Sequence, residues 1–169
     1  TVYTGGTLAW YNGITTRSVN YLTINTATNG GTIDMGDSGN ILTLAGGTLG
    51  FVGPANATLT GGQLGAAASE VVLTLGSTGG TLTIGSPVSS GAGSLVVNGS
   101  GVAVLAGPNY YTGATTVNSG GALNIQNGLA LGTTAGSTTI NSGGALRMQG
   151  NISTLIEALA LNGTGTSGD

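Results

Sequence analysis

The chain has 169 residues, of which 35 are glycine and 4% are charged, and its formal net charge is −3. Electrostatic binding to nucleic acid or to anionic lipid requires clustered cations. The chain has only two basic residues, which excludes this mode of binding to either partner. Cysteine is absent, which excludes a disulfide framework. No apolar run approaches the roughly 20 residues that span a bilayer, and we expect no membrane insertion of this segment.

Aromatic residues are few, and two pairs of them stand side by side. Trp10 and Tyr11 form the first pair, and Tyr110 and Tyr111 form the second. Exposed rings present an apolar face with a polar tip, so both pairs are candidates for contact with surface glycans. The alternative is that these rings cap the core or pack at a corner of the fold.

Glycine doublets return along the chain, usually two residues before an apolar residue. A period of about 20 residues indicates a solenoid, in which one supersecondary unit is stacked many times. About eight coils at roughly 4.8 Å each predict a rod of about 40 Å. The predicted corner glycines are Gly30, Gly31, Gly46, Gly47, Gly79, Gly80, Gly120, Gly121, Gly143 and Gly144.

Short segments between these glycines alternate apolar and polar residues, as in Leu42-Thr43-Leu44 and Leu73-Thr74-Leu75. This period of two is typical of strands with one buried face. We predict an all-β fold, a right-handed parallel β-helix, with residues 1–169 forming one domain cut from a longer repeat protein. The residues predicted to point inward include Leu44, Val117, Leu123, Ile125, Ile140 and Leu146.

An acidic, glycine-rich loop carries the only metal candidate. Asp34, Asp37 and Asn40 offer the oxygen ligands that calcium prefers. The alternative is a pair of solvated turn carboxylates, since the loop has no tandem copies. The chain has no lysine or histidine to act as a base, and its other acids are scattered. We therefore predict no catalytic residues, no cofactor and no enzymatic activity.

Two segments of twelve residues repeat at an offset of 23. Residues 115–126 match residues 138–149 at nine of the twelve positions. Asn118 and Asn141 are equivalent in the two copies. We predict that they form a ladder at one corner, each side chain bonded to the backbone of the next turn.

The segment that leads into this repeat resembles the autotransporter-associated β-strand repeat, also called the passenger-associated transport repeat. The residues that carry the resemblance are Leu105, Gly107, Asn109, Tyr111, Gly113, Thr115, Val117, Gly120 and Leu123. The extra Gly121 places Leu123 one position late. The resemblance implies a β-helix in the surface-exposed passenger of a long bacterial secreted protein, in which the repeat helps folding and export.

The last alternating segment, Leu159 to Asn162, favours another strand over a helix. A rod of stacked coils has two open ends, and unprotected strand edges pair with other strands. We expect an extracellular structural protein, a stalk or fibre segment that self-associates end to end. A glycan-binding or surface-binding adhesin is the second hypothesis, and a carbohydrate-active enzyme is the third.

Overall fold

The computed structural model describes residues 2–3, 6–9, 16–26, 29–67, 70–76, 79–89, 93–153 and 157–162. Side chains are described from residue 16 onward. All regular structure in these ranges is β-strand. These ranges contain no helix with the length and apolar character that crossing a membrane requires.

The strands form two sheets in which all pairings are parallel. The first sheet runs in the order β1 (Val2–Tyr3), β3 (Thr16–Asn25), β5 (Ile41–Val52), β8 (Glu70–Leu75), β10 (Ser94–Gly99), β12 (Thr115–Val117), β14 (Ser137–Ile140) and β16 (Ala158–Leu161), with β7 (Gln63–Ala66) paired to β5. The second sheet comprises β2 (Gly6–Ala9), β4 (Gly31–Asp34), β6 (Ala57–Thr60), β9 (Thr81–Ile84), β11 (Val102–Leu105), β13 (Ala122–Ile125) and β15 (Ala145–Met148). Because the chain alternates between the two stacks, it winds as a β-solenoid, which confirms the predicted fold class.

The core lies between the two sheets and consists of apolar rows that run along the stack. In the first sheet, strand pairing aligns Leu22, Leu49, Leu73, Val97, Val117 and Ile140. In the second sheet it aligns Ile33, Leu59, Ile84, Leu105 and Ile125. All these side chains are buried, and burial of each contributes about 1.5–3 kcal/mol. Of the predicted inward residues, Leu44, Val117, Leu123, Ile125 and Ile140 are buried, and Leu146 packs against the core while partly exposed.

The solenoid has about six turns, and the prediction of about eight coils was wrong. Side-chain hydrogen bonds between neighbouring turns join residues 25 or 26 apart in the described residues between 29 and 89, which we call the wide turns. In residues 93–162, which we call the narrow turns, strand pairing joins residues 20 to 23 apart. The sequence estimate assumed the narrow length throughout. At roughly 4.8 Å per turn, the rod is therefore about 30 Å long.

Two glycine doublets also misled the count, because they lie within turns. Gly46 and Gly47 are inside the continuous strand β5, opposite a register shift between Val19 and Tyr21 of β3. Gly61 and Gly62 connect β6 to β7 in the same turn. A doublet therefore marks a corner of the solenoid, and one turn of the wide type contains more than one such corner.

Candidate functional site

The residues of the repeat motif lie together in the narrow turns, where they have structural roles. Leu105, Val117 and Leu123 are completely buried in the core. Tyr111 is also completely buried, and it is the largest side chain of the described interior. The motif therefore specifies how this part of the solenoid packs, and its apolar members leave no surface for a ligand.

Asn109 ties three successive levels of the stack through one buried side chain. Its Oδ1 accepts a hydrogen bond of 2.7 Å from the backbone N–H of Val88, and its Nδ2 donates one of 2.5 Å to the carbonyl of Ala130. Each partner is 21 residues away. A buried amide is stable here because donor and acceptor are both satisfied.

Tyr111 and Thr115 form a buried polar pair within the motif. The Tyr111 hydroxyl lies 2.7 Å from Thr115 Oγ1, and both residues are buried. Burial raises the pKa of the Tyr111 phenol well above its usual range, while the hydrogen bond to Thr115 acts in the opposite direction. Tyr111 therefore stays neutral under physiological conditions, and its role is to pack inside the solenoid.

A second polar pair continues this row toward the C-terminal side of the stack. Thr115 is paired with Thr138, which is buried, and Thr138 Oγ1 donates a hydrogen bond of 2.7 Å to Glu157 Oε1. Partial burial raises the pKa of the Glu157 carboxyl, and the bond from Thr138 opposes that rise. The row thus begins at a neutral phenol and ends at a titratable group.

Two motif glycines are required by geometry. Gly120 has a φ of +84°, in the left-handed region that favours glycine. A Cβ at Gly113 would lie 2.6 Å from the carbonyl oxygen of Gly93, in contact with the preceding turn. Among the predicted corner glycines, positive φ also occurs at Gly47, Gly79 and Gly143.

The predicted asparagine ladder is present, with a different kind of partner. Asn141 Nδ2 donates to Asn118 Oδ1 at 2.7 Å, and Asn118 Nδ2 donates to Asn98 Oδ1 at 2.7 Å. The predicted bonds to backbone groups are replaced by side chain to side chain bonds, because in-register parallel strands place identical side chains directly above one another.

The calcium candidate residues are engaged in local hydrogen bonds. Asp34 Oδ1 accepts the N–H of Gly36 at 2.9 Å, and Asn40 Nδ2 donates to the carbonyl of Met35 at 2.6 Å. Asp37 accepts the N–H of Asn40 through its backbone carbonyl. Within the described residues, no three acidic side chains come together as a metal site. The loop therefore gains its order from these local bonds and from bonds that Gly62 and Gln63 of the next turn donate to its carbonyl groups.

The four candidate ligand aromatics fall into three situations. Trp10 and Tyr11 lie outside the described residues. Tyr111 is fully buried, so no face of its ring is available to a ligand. Tyr110 is 54% exposed and lines a groove on the surface of the wide turns. Only Tyr110 therefore remains as a described candidate for ligand contact.

The inward rows reach the C-terminal edge of the described stack uncovered. Leu161 is paired with Ile140 and Met148 with Ile125, so each continues a row that is buried in the preceding turns. Leu161 is nevertheless 66% exposed and Met148 54% exposed. Leu159, which is paired with the buried Thr138 and so continues the row of Thr115 and Thr138, is 49% exposed. We call these three side chains the C-terminal apolar edge.

Sequence reasoning missed several buried polar residues that stabilise the turns. Thr26 is completely buried and donates through Oγ1 to the carbonyl of Ala55 at 2.6 Å, and Ser86 similarly donates to Gly61 at 2.6 Å. Threonine and serine are common throughout the chain, so the sequence does not indicate that Thr26 and Ser86 are buried. Thr138 had a signal, because it is equivalent to the motif residue Thr115 in the internal repeat.

Comparison of the chain with protein-family models, with curated proteins and with solved structures gives no match.

Proposed function

We propose that this chain is a structural segment of a secreted or cell-surface protein, and that its solenoid continues by end-to-end stacking on another copy. The C-terminal apolar edge carries the proposal. Leu159, Leu161 and Met148 belong to inward rows, and on this edge they face solvent. Covering them would remove from water the same kind of surface that stabilises every earlier turn.

The topology supports head-to-tail contact. The first sheet begins at β1 and ends at β16, and the second begins at β2 and ends at β15. Because all the strands are parallel, a second copy that places its β1 on β16 continues the first sheet. The second sheet has one strand fewer, so one strand position lies between β15 and the β2 of the second copy. Such a contact joins different surfaces of the two copies, and repetition of it generates an open filament.

The autotransporter-like assignment has a separate basis. In the narrow turns, the motif residues pack the core, bridge turns or form corners, as expected of a repeat that guides folding. The absence of cysteine is compatible with a passenger that crosses a membrane unfolded. Immunogold labelling of the cells that make the protein tests this part: surface label supports it, and label confined to the cytoplasm contradicts it.

Sedimentation velocity over a range of concentrations tests end-to-end stacking. The decisive variant is the double substitution Leu159→Lys with Leu161→Lys, which places two charges on the C-terminal apolar edge. The matched control is Ala160→Lys, since Ala160 lies on the same strand in the outward row of Thr116 and Thr139.

We expect the wild-type chain and Ala160→Lys to form species that lengthen with concentration, and the double variant to remain monomeric. Charges on the contact face would be desolvated without partners, whereas a charge on the outward row stays in water. A wild-type chain that is monomeric at every concentration, or a double variant that assembles like the wild type, contradicts end-to-end stacking.

A further inference from the structure

A groove crosses the surface of the wide turns and meets the narrow turns at Tyr110. It encloses about 550 Å³, and its lining includes Ser38, Gln63, Pro87 and Tyr110. These residues belong to successive levels of the stack, so the groove runs along the solenoid axis. Neighbouring turns are spaced at roughly 4.8 Å, which gives the groove a length of about 15 Å.

The side-chain amide of Gln63 in the groove is held in place by a backbone carbonyl and by a serine hydroxyl. Gln63 Nε2 donates to the carbonyl of Ser38 at 3.0 Å, and Gln63 Oε1 accepts from Ser89 Oγ at 2.8 Å. Both polar atoms of the Gln63 amide retain further hydrogen-bonding capacity, because the nitrogen has two hydrogens and the oxygen two lone pairs. Gln63 therefore presents a donor and an acceptor in fixed positions.

Tyr110 forms the aromatic wall of the groove. Its backbone N–H donates to the carbonyl of Val88 at 3.1 Å, which fixes the chain behind the ring. The ring is 54% exposed although its neighbour Tyr111 is completely buried. An anchored, exposed aromatic ring offers an apolar face and a polar tip at low cost in conformational entropy.

Part of the groove floor is open without a packing requirement. A Cβ at Gly85 would meet only the carbonyl oxygen of Leu59, at 3.4 Å, which is ordinary van der Waals distance. Gly61 has a φ of +68° and no room for a Cβ, so glycine there serves the fold. Gly85 is not under such a constraint, and a larger side chain at residue 85 would occupy part of the groove.

We propose that this groove binds a neutral saccharide chain, with Tyr110 stacking on one sugar ring and Gln63 bonding to hydroxyl groups. The described residues of the lining include no charged side chain, which disfavours nucleotides, phosphopeptides and anionic polysaccharides. An elongated site with one aromatic wall and fixed amide groups is complementary to a chain of rings that carry hydroxyls. This inference adds a binding activity to the structural role and does not depend on end-to-end stacking.

The test is titration of the 15N-labelled chain with neutral hexasaccharides of glucose, mannose, galactose and N-acetylglucosamine, followed by backbone amide shifts. Hexagalacturonate serves as the anionic comparison. The variants are Tyr110→Ala, which removes the ring, and Gly85→Leu, which fills the floor. Tyr21→Ala is the matched control, because Tyr21 is 53% exposed on β3 and is not part of the groove lining.

We expect at least one neutral hexasaccharide to shift the amides around Ser38, Gln63 and Tyr110. Tyr110→Ala should weaken that binding by up to about tenfold, the loss expected for one aromatic contact, and Gly85→Leu should weaken it by obstructing the groove. Tyr21→Ala should bind like the wild type, and hexagalacturonate should bind more weakly. The proposal is overturned if none of the neutral chains binds, if both groove variants retain wild-type affinity, or if hexagalacturonate binds best.

Discussion

The wide turns and the narrow turns build the same core with different corners. In the wide turns, the inter-turn side-chain bonds of Gln63 and Asn56 are exposed, and those of Ser86 and Ser89 are partly buried. In the narrow turns, Asn109, Tyr111 and Thr115 make buried bonds. Extra residues per turn thus give corners that are open to solvent and can form a groove. The narrow turns also have exposed bonds, from Asn124 and Gln126 to Gln149, but they add polar groups that bond inside the stack.

This difference predicts that the narrow turns respond more strongly to substitution than the wide turns. Polar groups that are buried and bonded cost more to disrupt than those near solvent, because water cannot replace the lost partner. Equal chemical changes in the two regions should therefore lower the free energy of unfolding by unequal amounts. A charge buried in the core should have a larger effect than either.

The largest effect is expected from Leu123→Asp. Leu123 is completely buried, so the substitution places an unpaired carboxylate between coils and should prevent folding. Circular dichroism should show loss of the β-sheet signal. The control Thr116→Asp, in an outward row, should fold. A folded, β-rich Leu123→Asp would contradict the register described for the second sheet.

Asn109→Ala compared with Asn40→Ala measures the difference between the regions directly. Loss of the Asn109 amide removes the hydrogen bonds that it makes to the N–H of Val88 and to the carbonyl of Ala130. This should lower the free energy of unfolding by about 3 kcal/mol. Asn40 makes one partly buried bond, to Met35, and its loss should cost about 1 kcal/mol. Urea denaturation measures both, and equal losses would remove the distinction between the regions.

Gly120→Ala and Gly39→Ala compare two corners. Gly120 has a φ of +84°, and a Cβ there would lie 2.9 Å from the carbonyl oxygen of Gly99, so the change should cost about 1–2 kcal/mol. A Cβ at Gly39 would meet nothing within 4 Å, and its backbone is outside the left-handed region. We expect Gly39→Ala to be neutral in urea denaturation. A neutral Gly120→Ala would show that this corner relaxes easily.

The smallest effect concerns pH and Glu157. Because partial burial raises the pKa of this carboxyl above its ordinary value of 4.5, the folded chain holds the proton more tightly than the unfolded chain. The resulting stabilisation is present below that ordinary value and is lost as pH rises through the raised pKa. Between about pH 4 and about pH 7, wild type should therefore lose more stability than Glu157→Gln. Identical pH profiles in urea denaturation would contradict this assignment.

The fold was predictable because the inward rows appear in the sequence as an alternation of apolar and polar residues. Leu123 and Val117 are apolar at positions of period two, and strand pairing repeats that pattern from turn to turn. The number of turns was not predictable from glycine alone, since Gly46 and Gly61 mark corners inside a turn. The length of a wide turn depends on how loops such as 34–40 fold back, which local sequence does not specify.

The site was predictable only in part. Asn118 and Asn141 were found because the internal repeat places them one turn apart, although their partners proved to be each other's side chains. Tyr110 and Tyr111 are identical in type and adjacent in sequence, yet one is exposed and the other buried. Which ring enters the core depends on the alignment of a narrow turn with its neighbours, and no spacing rule in a single sequence reveals it.

Electron microscopy of the concentrated, untagged chain tests end-to-end stacking most directly. We predict unbranched fibres of one solenoid width, in which β16 of each copy pairs with β1 of the next. The eight stacked strands of the first sheet, at roughly 4.8 Å each, give an axial repeat of about 38 Å. Discrete short particles that do not lengthen at any concentration would contradict the account, because the C-terminal apolar edge would then have no second copy to cover it.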